Sequence, residues 1–493
     1  FWSDGSDRRL LFTAGPYLYG LDARTGEPVS SFGSDGRVDL RENLDTDRAD
    51  LSVTASTPGI IYGDLLIMGS SVGEGPEHGA PGHIRAYDVR TGEREWIFHT
   101  IPHPGEFGYE TWPKNAWKHV GGANSWAGMS LDKERGMVYV PTGSATYDHF
   151  GGDRHGDNLF ANTLLALDAA TGERVWHYQL VHHDVWDYDL ASPPTLATIE
   201  RGGQEIDVVT QPTKMGHLFV FNRQTGEPIF PIEERPVPRS ELNGEQLSRT
   251  QPFPPQSLRY ARQGFTREDI TERTPEAREA VQKYLDRFGP SPLFPAPSQN
   301  GDIILPQFNG GTDWGGAAVD PATGILYVNA SNVPELLTMV ESPSSAEHPH
   351  PYIATGHQPI RDPDGYPISK PPWGTLNAID LNEGEILWEV PLGEHEELIE
   401  QGLPPTGTFN MGGPIVTAGG VVFIGASKDA AFRAFDAETG DVLWEHQLPA
   451  GGYATPATYS VDGTQYVVIA AGGGGKPGTA PGNEYVAFAL GGE

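Results

Sequence analysis

The chain contains Leu167-Asp168-Ala169-Ala170-Thr171-Gly172-Glu173, followed by Trp176, and the same pattern returns along its whole length. In each copy an apolar strand ends at Asp or Asn, whose side chain can bond the backbone of a turn. Glycine then supplies the positive φ of the reversal, and a second strand begins. A Trp at fixed spacing offers a flat surface for docking one sheet on the next. Further copies occupy residues 21–27, 87–93, 221–227, 379–385 and 435–441, with a degenerate copy at 485–490.

This repeat predicts a β-propeller, an all-β fold in which four-stranded blades are arranged around an axis. Another short strand precedes most copies, as at residues 66–70 and 138–143. A TIM barrel would need amphipathic helices between the strands, and the sequence does not show them. We therefore expect residues 1–493 to form a single propeller domain.

Two long segments interrupt the repeat, at residues 231–300 and 331–374. The first is rich in proline and predicts one helix, with Thr274 as its N-cap, Pro275 in its first turn and Gly289 as its stop. The second is rich in Pro, Ser and His and has little periodicity. Long insertions on one face of a propeller usually build or cover a site, and we expect these two to do so.

Composition excludes several classes of protein. The chain has 66 acidic and 33 basic residues, a formal charge of −33, which argues against nucleic-acid binding. It has no cysteine, so it has no disulfide, thiolate metal site or covalently attached haem. No run approaches the roughly 18 apolar residues of a membrane span. The acidic surface suits either a high-salt source or an extracytoplasmic protein, and both readings stay open.

The segment His182-His183-Asp184-Val185-Trp186-Asp187-Tyr188-Asp189 concentrates titratable and aromatic residues. Carboxylates buried beside aromatic walls have perturbed pKa values and can serve in acid–base chemistry. The alternative is a polar loop whose acids cap turns. On an extended chain the two histidines point apart, so they are poor joint metal ligands. The same alternation predicts Asp187 and Asp189 on one side of the chain and Asp184 on the other.

The repeats and His183-Asp184-Val185-Trp186-Asp187 together resemble the quinoprotein dehydrogenases. That family consists of eight-bladed propellers that use pyrroloquinoline quinone (PQQ) and calcium. Residues 181–187, 412–419 and 449–456 are most similar to the membrane-type glucose dehydrogenase branch, and the resemblance covers essentially the whole chain. In the family a first blade lies upstream of the segment that begins here at Phe1. The resemblance therefore implies a propeller of the eight-bladed type that lacks one N-terminal blade.

The resemblance implies catalytic and cofactor-binding roles for three residues. Asp187 matches the catalytic base, Lys214 the cation beside the quinone oxygens, and Trp126 the indole that stacks under the planar cofactor. A lysine at position 214, where the alcohol-oxidising branch typically has arginine, favours the sugar and polyol branch. Each residue also has a structural alternative: Trp126 could be one more docking tryptophan, and Lys214 a surface lysine.

A second set of residues is implied for the metal and for further cofactor contacts. Glu74 matches a carboxylate ligand of calcium, together with Asp187, and Ser144 falls where the methanol-oxidising branch has an asparagine ligand. That departure leaves coordination by the Ser144 side chain open, and Glu74 in its Gly-rich loop could simply be solvated. Ser71 is expected to bond a cofactor carboxylate and Asn309 to contact the cofactor. Hard oxygen ligands of this kind suit calcium.

The expected activity is the PQQ- and calcium-dependent oxidation of a sugar or polyol hydroxyl, with electrons passed to a quinone or a cytochrome. Calcium on a quinone carbonyl would act as a Lewis acid, Lys214 would stabilise developing negative charge, and Asp187 would take the hydroxyl proton. The resemblance also implies a periplasmic or extracytoplasmic location, with membrane association through a part outside this chain. Two alternatives remain: a non-catalytic scaffold propeller of the outer-membrane assembly type, and a truncated, inactive quinoprotein fragment.

Overall fold

The structure is a computed structural model that describes residues 1–46, 48, 51–343 and 349–490. Residues 344–348 of the second predicted insertion lie outside the described residues. Within the described part, seven antiparallel meander sheets follow one another along the chain, and we call them blades 1 to 7. The predicted β-propeller is confirmed.

Five of the seven blades have four strands, whereas blades 4 and 7 have three. Blade 1 contains Trp2–Ser3, Arg8–Ala14, Tyr17–Asp22 and Arg37–Asp39; blade 2 contains Ile60–Tyr62, Leu65–Met68, Ile84–Asp88 and Arg94–Phe98; blade 3 contains Ser130–Asp132, Met137–Pro141, Thr163–Asp168 and Arg174–Gln179. Blade 4 contains Thr195–Arg201, Gln204–Pro212 and Leu218–Asn222; blade 5 contains Ala317–Asp320, Ile325–Ser331, Gly374–Asp380 and Glu385–Pro391; blade 6 contains Ile415–Thr417, Val421–Ile424, Ala431–Asp436 and Val442–Gln447; blade 7 contains Ala457–Val461, Thr464–Gly473 and Pro481–Ala489.

The repeated turn joins the third and fourth strands of a blade, as the sequence predicts. In blade 3, Asp168 Oδ1 accepts the backbone N–H groups of Ala170 and Thr171, both at 2.9 Å. Gly172 has a φ of 74°, and a Cβ on it would lie 2.5 Å from the Trp96 ring of blade 2. Glycine is therefore required here both by the backbone conformation and by the indole that packs on it.

The repeated tryptophans dock each blade on the next one. Trp444 of blade 6 packs edge-to-face on Phe488 of blade 7, with ring centroids 4.9 Å apart, and stays 37% exposed. In the other three repeat tryptophans the indole N–H donates to the backbone carbonyl of the residue that follows the Asp or Asn of the next blade. These bonds join Trp96 to Ala169 (3.3 Å), Trp176 to Arg223 (3.1 Å) and Trp388 to Ala437 (3.2 Å). The blade 4 copy has no Trp, and Phe230 packs in its place, 2.3 Å from where a Cβ on Gly384 would lie. The predicted docking role of the repeat tryptophans is confirmed.

A buried apolar cluster fills each interface between consecutive blades. The first strands of blades 3, 4, 5 and 6 contact one another in succession, as expected for strands that surround a common axis. Leu10–Phe12 pair only within blade 1, and Tyr485–Ala487 pair only within blade 7. In the described residues the first and last strands thus belong to separate blades and do not share one.

The two insertions combine into a single cap. The cap extends past the predicted end of the first insertion, because strand Asp302–Ile304 pairs with Glu335–Glu341 of the second insertion, which in turn pairs with Tyr352–Pro359. Helix α1, Pro275–Phe288, begins and ends as predicted: Thr274 accepts the N–H of Ala277, and Gly289 follows the last turn. The remaining elements are the strand pairs Glu233–Pro236 with Thr250–Phe253 and Val53–Thr54 with Ser71–Val72, helix α2 at Glu396–Glu400, and 3₁₀ turns at Tyr109–Thr111, Ala116–Lys118 and Gln256–Leu258.

Both insertions leave the propeller at the same end. In an antiparallel meander, the link between strands 2 and 3 and the link to the next blade lie at one end, and the repeated turns lie at the other. The first insertion follows blade 4, and the second joins strands 2 and 3 of blade 5. None of the helices formed by the described residues is long and apolar enough to cross a membrane.

Candidate active site

Every residue implicated by the sequence lies at the end of the propeller that carries the cap. Some occupy links between strands 2 and 3, and the others occupy links between blades. The first group is Ser71, Glu74, Ser144 and Lys214, and the second is Trp126, Asp187 and Asn309. Meander topology therefore gathers residues from distant parts of the chain at one end, while the repeated turns stay at the opposite end.

Asp187 and Lys214 form a buried ion pair. Lys214 Nζ lies 2.9 Å from Asp187 Oδ1, donates to the Asp187 carbonyl at 2.8 Å, and lies 3.6 Å from Asp189 Oδ2. The surface-lysine alternative for Lys214 is therefore wrong, because its side chain is only 5% exposed. Asp187 has a φ of 57°, so the segment is not extended and the alternation argument had a wrong premise. Asp187 and Asp189 nevertheless both face Lys214.

Asp184 holds the loop together from inside. Its carboxylate accepts the backbone N–H groups of Trp186 at 2.9 Å and Tyr188 at 2.8 Å. It also accepts the side-chain amide of Asn162 at 2.9 Å and the hydroxyl of Ser144. Burial raises the pKa of Asp184, although these hydrogen bonds oppose the rise. For this one acid, the capping alternative describes the geometry.

Asp189 orients the predicted cofactor-stacking indole. Trp126 Nε1 donates to Asp189 Oδ2 at 2.8 Å, and the Ser144 N–H donates to Asp189 Oδ1 at 2.5 Å. Burial works to raise the pKa of Asp189, but Lys214 and these two donors outweigh it, and the pKa is lowered. Asp189 is therefore ionised, and its partners are fixed. Trp126 makes none of the blade-docking bonds and stays half-buried.

Asp187 and two acids near this ion pair, Asp148 and Glu74, have raised pKa values. Burial raises the pKa of Asp148 and of Asp187 well above its usual range, and the neighbouring carboxylates add to both shifts. Glu74 is exposed as a residue, but protein surrounds its carboxyl group, and burial and Asp189 raise its pKa. Lys214 thus pairs with Asp187 and Asp189, while the charges of Asp148 and Glu74 act on these same carboxylates. A hard cation with oxygen ligands would relieve this excess of buried negative charge.

Hydrogen bonds and aromatic packing fix the loop that carries Asp187 to the cap. Trp186 Nε1 donates to the Pro295 carbonyl at 2.6 Å, and the Tyr188 hydroxyl donates to the Pro306 carbonyl at 2.7 Å. Both aromatic rings pack in a buried cluster with Phe294 of the first insertion. The aromatic residues on either side of Asp187 therefore anchor the loop, and the carboxylate is left on the propeller side.

For Ser144, Ser71 and Asn309, the contacts in the structure do not distinguish the predicted role from a structural one. The Ser144 hydroxyl donates to Asp184, and its carbonyl accepts the N–H of Ala123 at 2.6 Å, so both oxygens are already engaged. Ser71 lies in the short strand next to the Glu74 loop. Asn309 is buried, with its side-chain amide 3.1 Å from that of Gln307. Metal binding by Ser144 and cofactor contacts of Ser71 and Asn309 stay predictions.

A cavity of about 320 Å³ opens beside these residues, and we call it the cofactor cleft. Its walls combine flat aromatic rings, a glycine-rich strand end and a cation. They include Trp126, Trp314, Tyr453, Met411, Gly473–Gly475 and Lys476. The volume suits a small-molecule ligand, and the aromatic walls suit a planar one. The cleft therefore fits a planar, anionic cofactor such as PQQ on the Trp126 side.

A group of three histidines lies elsewhere and does not form a convincing metal site. Nitrogens of His83, His99 and His103 lie within 4.8 Å of one another. The rings of His99 and His103 are stacked, with centroids 3.9 Å apart at 14°. The Thr100 N–H donates to His83 Nδ1 at 3.1 Å, and His99 Nδ1 bonds Glu106 at 2.8 Å. Lone pairs in parallel rings do not converge on one ion, so hydrogen bonding accounts for this group.

Comparison with known proteins identifies the family. Residues 2–467 match the family model described as the glucose/ethanol/alcohol dehydrogenase, β-propeller domain of the PQQ type. This chain belongs to that family. The quinoprotein glucose dehydrogenase of Escherichia coli (strain K12) is 34% identical over 96% of this chain and 62% of its own length. The chain therefore spans less than two thirds of that relative.

Two further relatives show the breadth of the family. The glycerol dehydrogenase large subunit of Gluconobacter oxydans (strain 621H) is 34% identical and matches 98% of this chain and 69% of its own length. The solved structure of quinohemoprotein alcohol dehydrogenase from Comamonas testosteroni has a TM-score of 0.66 and 26% identity, over 94% of this chain and 61% of that one. The fold and the predicted family resemblance are thus confirmed.

Two buried acids of this site, Asp148 and Asp313, were missed from the sequence. Asp148 is buried and lies four residues after Ser144 in the same link of blade 3. The family resemblance points to Ser144 in this link and not to Asp148. A search for every acid in the links at this end of the propeller would have found Asp148, since acids gathered at one end can share a cation.

Proposed function

We propose that this chain is the catalytic propeller of a PQQ- and calcium-dependent dehydrogenase that oxidises a sugar or polyol hydroxyl. The observation that carries the proposal is the buried Asp187–Lys214 pair, at 2.9 Å, among carboxyl groups of raised pKa beside an aromatic cleft. Relatives whose printed names specify glucose, glycerol and alcohol support a CH–OH substrate.

The cofactor and the metal would be held by different residues. The ring of PQQ would lie on Trp126, whose indole is fixed by Asp189. Glu74, Asp148 and Asp187 offer carboxylate oxygens for Ca²⁺, and the Ser144 oxygens would keep a lone pair for it beside their existing bonds. When bound, PQQ with Ca²⁺ supplies a two-electron acceptor for hydride from the substrate carbon.

Asp187 would act as the general base. A carboxylate of raised pKa is a stronger proton acceptor than an ordinary one, and it can take the hydroxyl proton while hydride leaves the same carbon. The products are then a carbonyl compound and a protonated Asp187, which must return its proton to solvent. Lys214 holds Asp187 in place with two hydrogen bonds and keeps positive charge beside the reacting groups.

The proposal also includes an electron acceptor and a cellular location. Electrons would pass to a quinone or a cytochrome, and the protein would work in the periplasm or outside the cytoplasm. The scaffold alternative is weaker, because a scaffold has no use for a buried lysine paired with two buried acids and would not belong to a dehydrogenase family. The inactive-fragment alternative predicts no cofactor binding at all.

Reconstitution of the chain with PQQ and Ca²⁺ tests the proposal directly. We expect dye reduction with at least one member of a panel of sugars, sugar acids, polyols and alcohols, dependent on both additions. A matched reaction with Mg²⁺ in place of Ca²⁺ controls for a general effect of divalent cations. Failure to bind PQQ with Ca²⁺ and with Mg²⁺ would contradict the proposal and favour the inactive fragment.

A further inference from the structure

A second cavity adjoins the cofactor cleft, and we call it the side cavity. It has a volume of about 300 Å³ and shares Lys476 and Pro477 with the cofactor cleft. Gln307 and Asn309 form part of its wall, and the next residue, Gly310, packs against Lys214. The side cavity therefore lies next to the proposed reacting groups, where part of a substrate could extend.

Three cations line the side cavity: Arg361, Lys428 and Lys476. Among the residues that the structure describes, none of the three forms an ion pair with a carboxylate. Glu335 is the one acid in the wall; burial raises its pKa to about 8, and the charge of Lys476 opposes the rise, so three cations face at most one negative charge. The side cavity is thus positively charged in a chain whose formal charge is −33.

Acids that could have neutralised these cations are engaged elsewhere. Asp362 follows Arg361 in sequence, but it pairs with Arg273 at 2.7 Å. Asp429 follows Lys428, but it pairs with Arg433 at 2.6 Å. In a chain with twice as many acids as bases, two adjacent acids that both turn away leave these cations available to a ligand.

Arg361 and Lys428 also repel each other. Burial lowers the pKa of Lys428, and the positive charge of Arg361 lowers it further. Lys428 is half-buried, and its backbone N–H is fixed by Thr408 at 3.0 Å, so the repulsion persists in the folded chain. An anion between the two side chains would relieve the repulsion and accept charge-assisted hydrogen bonds from both.

We propose that the substrate carries a carboxylate, which Arg361 and Lys428 bind in the side cavity while the reacting hydroxyl lies at Asp187. The substrate class is then a sugar acid or another hydroxy-carboxylate, and the inference rests on the proposed function. Lys476 lines both cavities, so it can also contact a carboxylate of the cofactor. Arg361 and Lys428 line the side cavity but not the cofactor cleft, which assigns them to the substrate.

The test compares matched substrate pairs on the full chain loaded with PQQ and Ca²⁺. Glucose is compared with gluconate, and galactose with galacturonate, by dye-linked steady-state kinetics. We expect a higher kcat/KM for the carboxylates, and a fall of about 10- to 100-fold in the carboxylate-to-neutral ratio in Arg361→Gln and Lys428→Met. The loss should lie mainly in KM. Lys283→Met, an exposed lysine on α1, is the control that should leave the ratio unchanged.

A second readout separates the substrate from the cofactor as the bound anion. PQQ affinity, titrated optically for each variant, should be unchanged in Arg361→Gln and Lys428→Met. Weaker PQQ binding with an unchanged substrate ratio would overturn the inference, because the cations would then serve the cofactor. Equal kcat/KM for neutral and carboxylate substrates would also overturn it. Absence of turnover with every substrate would instead contradict the proposed function itself.

Discussion

Asp168 ends the third strand of blade 3, and Asp187 lies in the link from blade 3 to blade 4. The two acids have different partners and different roles. Asp168 lies at the turn end of the propeller, where one oxygen accepts two backbone N–H groups at 2.9 Å. Asp187 lies at the opposite end, buried against Lys214 and other acids, and its pKa is raised well above its usual range. Backbone donors satisfy a structural acid, whereas an acid held among other acids retains a need for a proton or a cation.

The same contrast divides the tryptophans. Trp96, Trp176 and Trp388 bond the backbone of the next blade and pack on its glycine. Trp126 instead bonds the Asp189 carboxylate and lines an open cleft. The partner atom of the indole, backbone carbonyl or buried carboxylate, therefore distinguishes the tryptophans that build the propeller from the one proposed to bind the cofactor.

Loss of the proposed base, Asp187, should have the largest effect. Asp187→Asn keeps the shape but removes the proton acceptor, so turnover should fall by about 10²- to 10⁴-fold while PQQ still binds. Asp184→Asn should act mainly on stability, because Asp184 braces the loop, and Asp189→Asn should mainly weaken PQQ binding through Trp126. Dye-linked turnover with saturating PQQ and Ca²⁺ measures all three. If only Asp189→Asn lost turnover, the base would be Asp189.

Truncation of the two kinds of tryptophan should affect different properties. Trp176→Ala removes a buried docking residue and should lower the free energy of unfolding by about 3–5 kcal/mol. Trp126→Ala should change stability much less and should weaken PQQ binding by about 2- to 10-fold, the range expected for a lost aromatic stacking contact. Denaturant unfolding and PQQ titration of both variants check this. A large stability loss in Trp126→Ala would remove the distinction.

Asp148 offers a test of the buried charge. Its pKa is raised in the folded chain, so the metal-free protein loses stability as pH rises from the ordinary carboxyl pKa through the raised one. Asp148→Asn should therefore melt higher than the wild type at neutral pH without metal, and the difference should vanish at low pH. Saturating Ca²⁺ should reverse the order if Asp148 is a ligand. Thermal melts with chelator and with Ca²⁺ measure both effects, and parallel curves would contradict the account.

The smallest effect is expected at the repeated turn. Asp168→Ala removes an acceptor of two backbone N–H groups and should cost about 0.5–1.5 kcal/mol of stability without changing turnover. Asp168→Asn should be nearly neutral, because Asn222 already forms the same pair of bonds, at 3.0 Å each, in blade 4. Lost turnover in a folded Asp168→Ala variant would break the separation between the two ends of the propeller.

Much of this fold is predictable because a local cause repeats. The Asp–Gly–Trp pattern fixes a turn and an inter-blade contact within about ten residues, so each copy can be recognised alone. Phe230 shows the limit: it replaces a repeat Trp in blade 4, and only the three-dimensional packing on Gly384 reveals it. The cap was predicted as two insertions, but its shared sheet requires pairing over a long sequence separation.

The site was less accessible to sequence reasoning, for physical reasons. Lys214 and Asp187 were matched to family positions, and the structure places them together. The left-handed backbone at Asp187 invalidates any argument from strand alternation, and nothing in its residue type announces it. Asp148 joins the cluster through folding alone, since its partners come from other links. The excess of buried negative charge at this site arises only when the folded links bring these acids together.

Calorimetric titration of Ca²⁺ into the metal-free chain tests the central claim most directly. Burial raises the pKa values of Glu74, Asp148 and Asp187, so in the pH range where these carboxyl groups are partly protonated a bound cation must displace protons. Titrations in two buffers of different ionisation enthalpy should show binding with proton release. In Glu74→Gln the affinity should fall by about 10-fold or more. Absence of Ca²⁺ binding, or equal affinity in both proteins without proton release, would contradict the account.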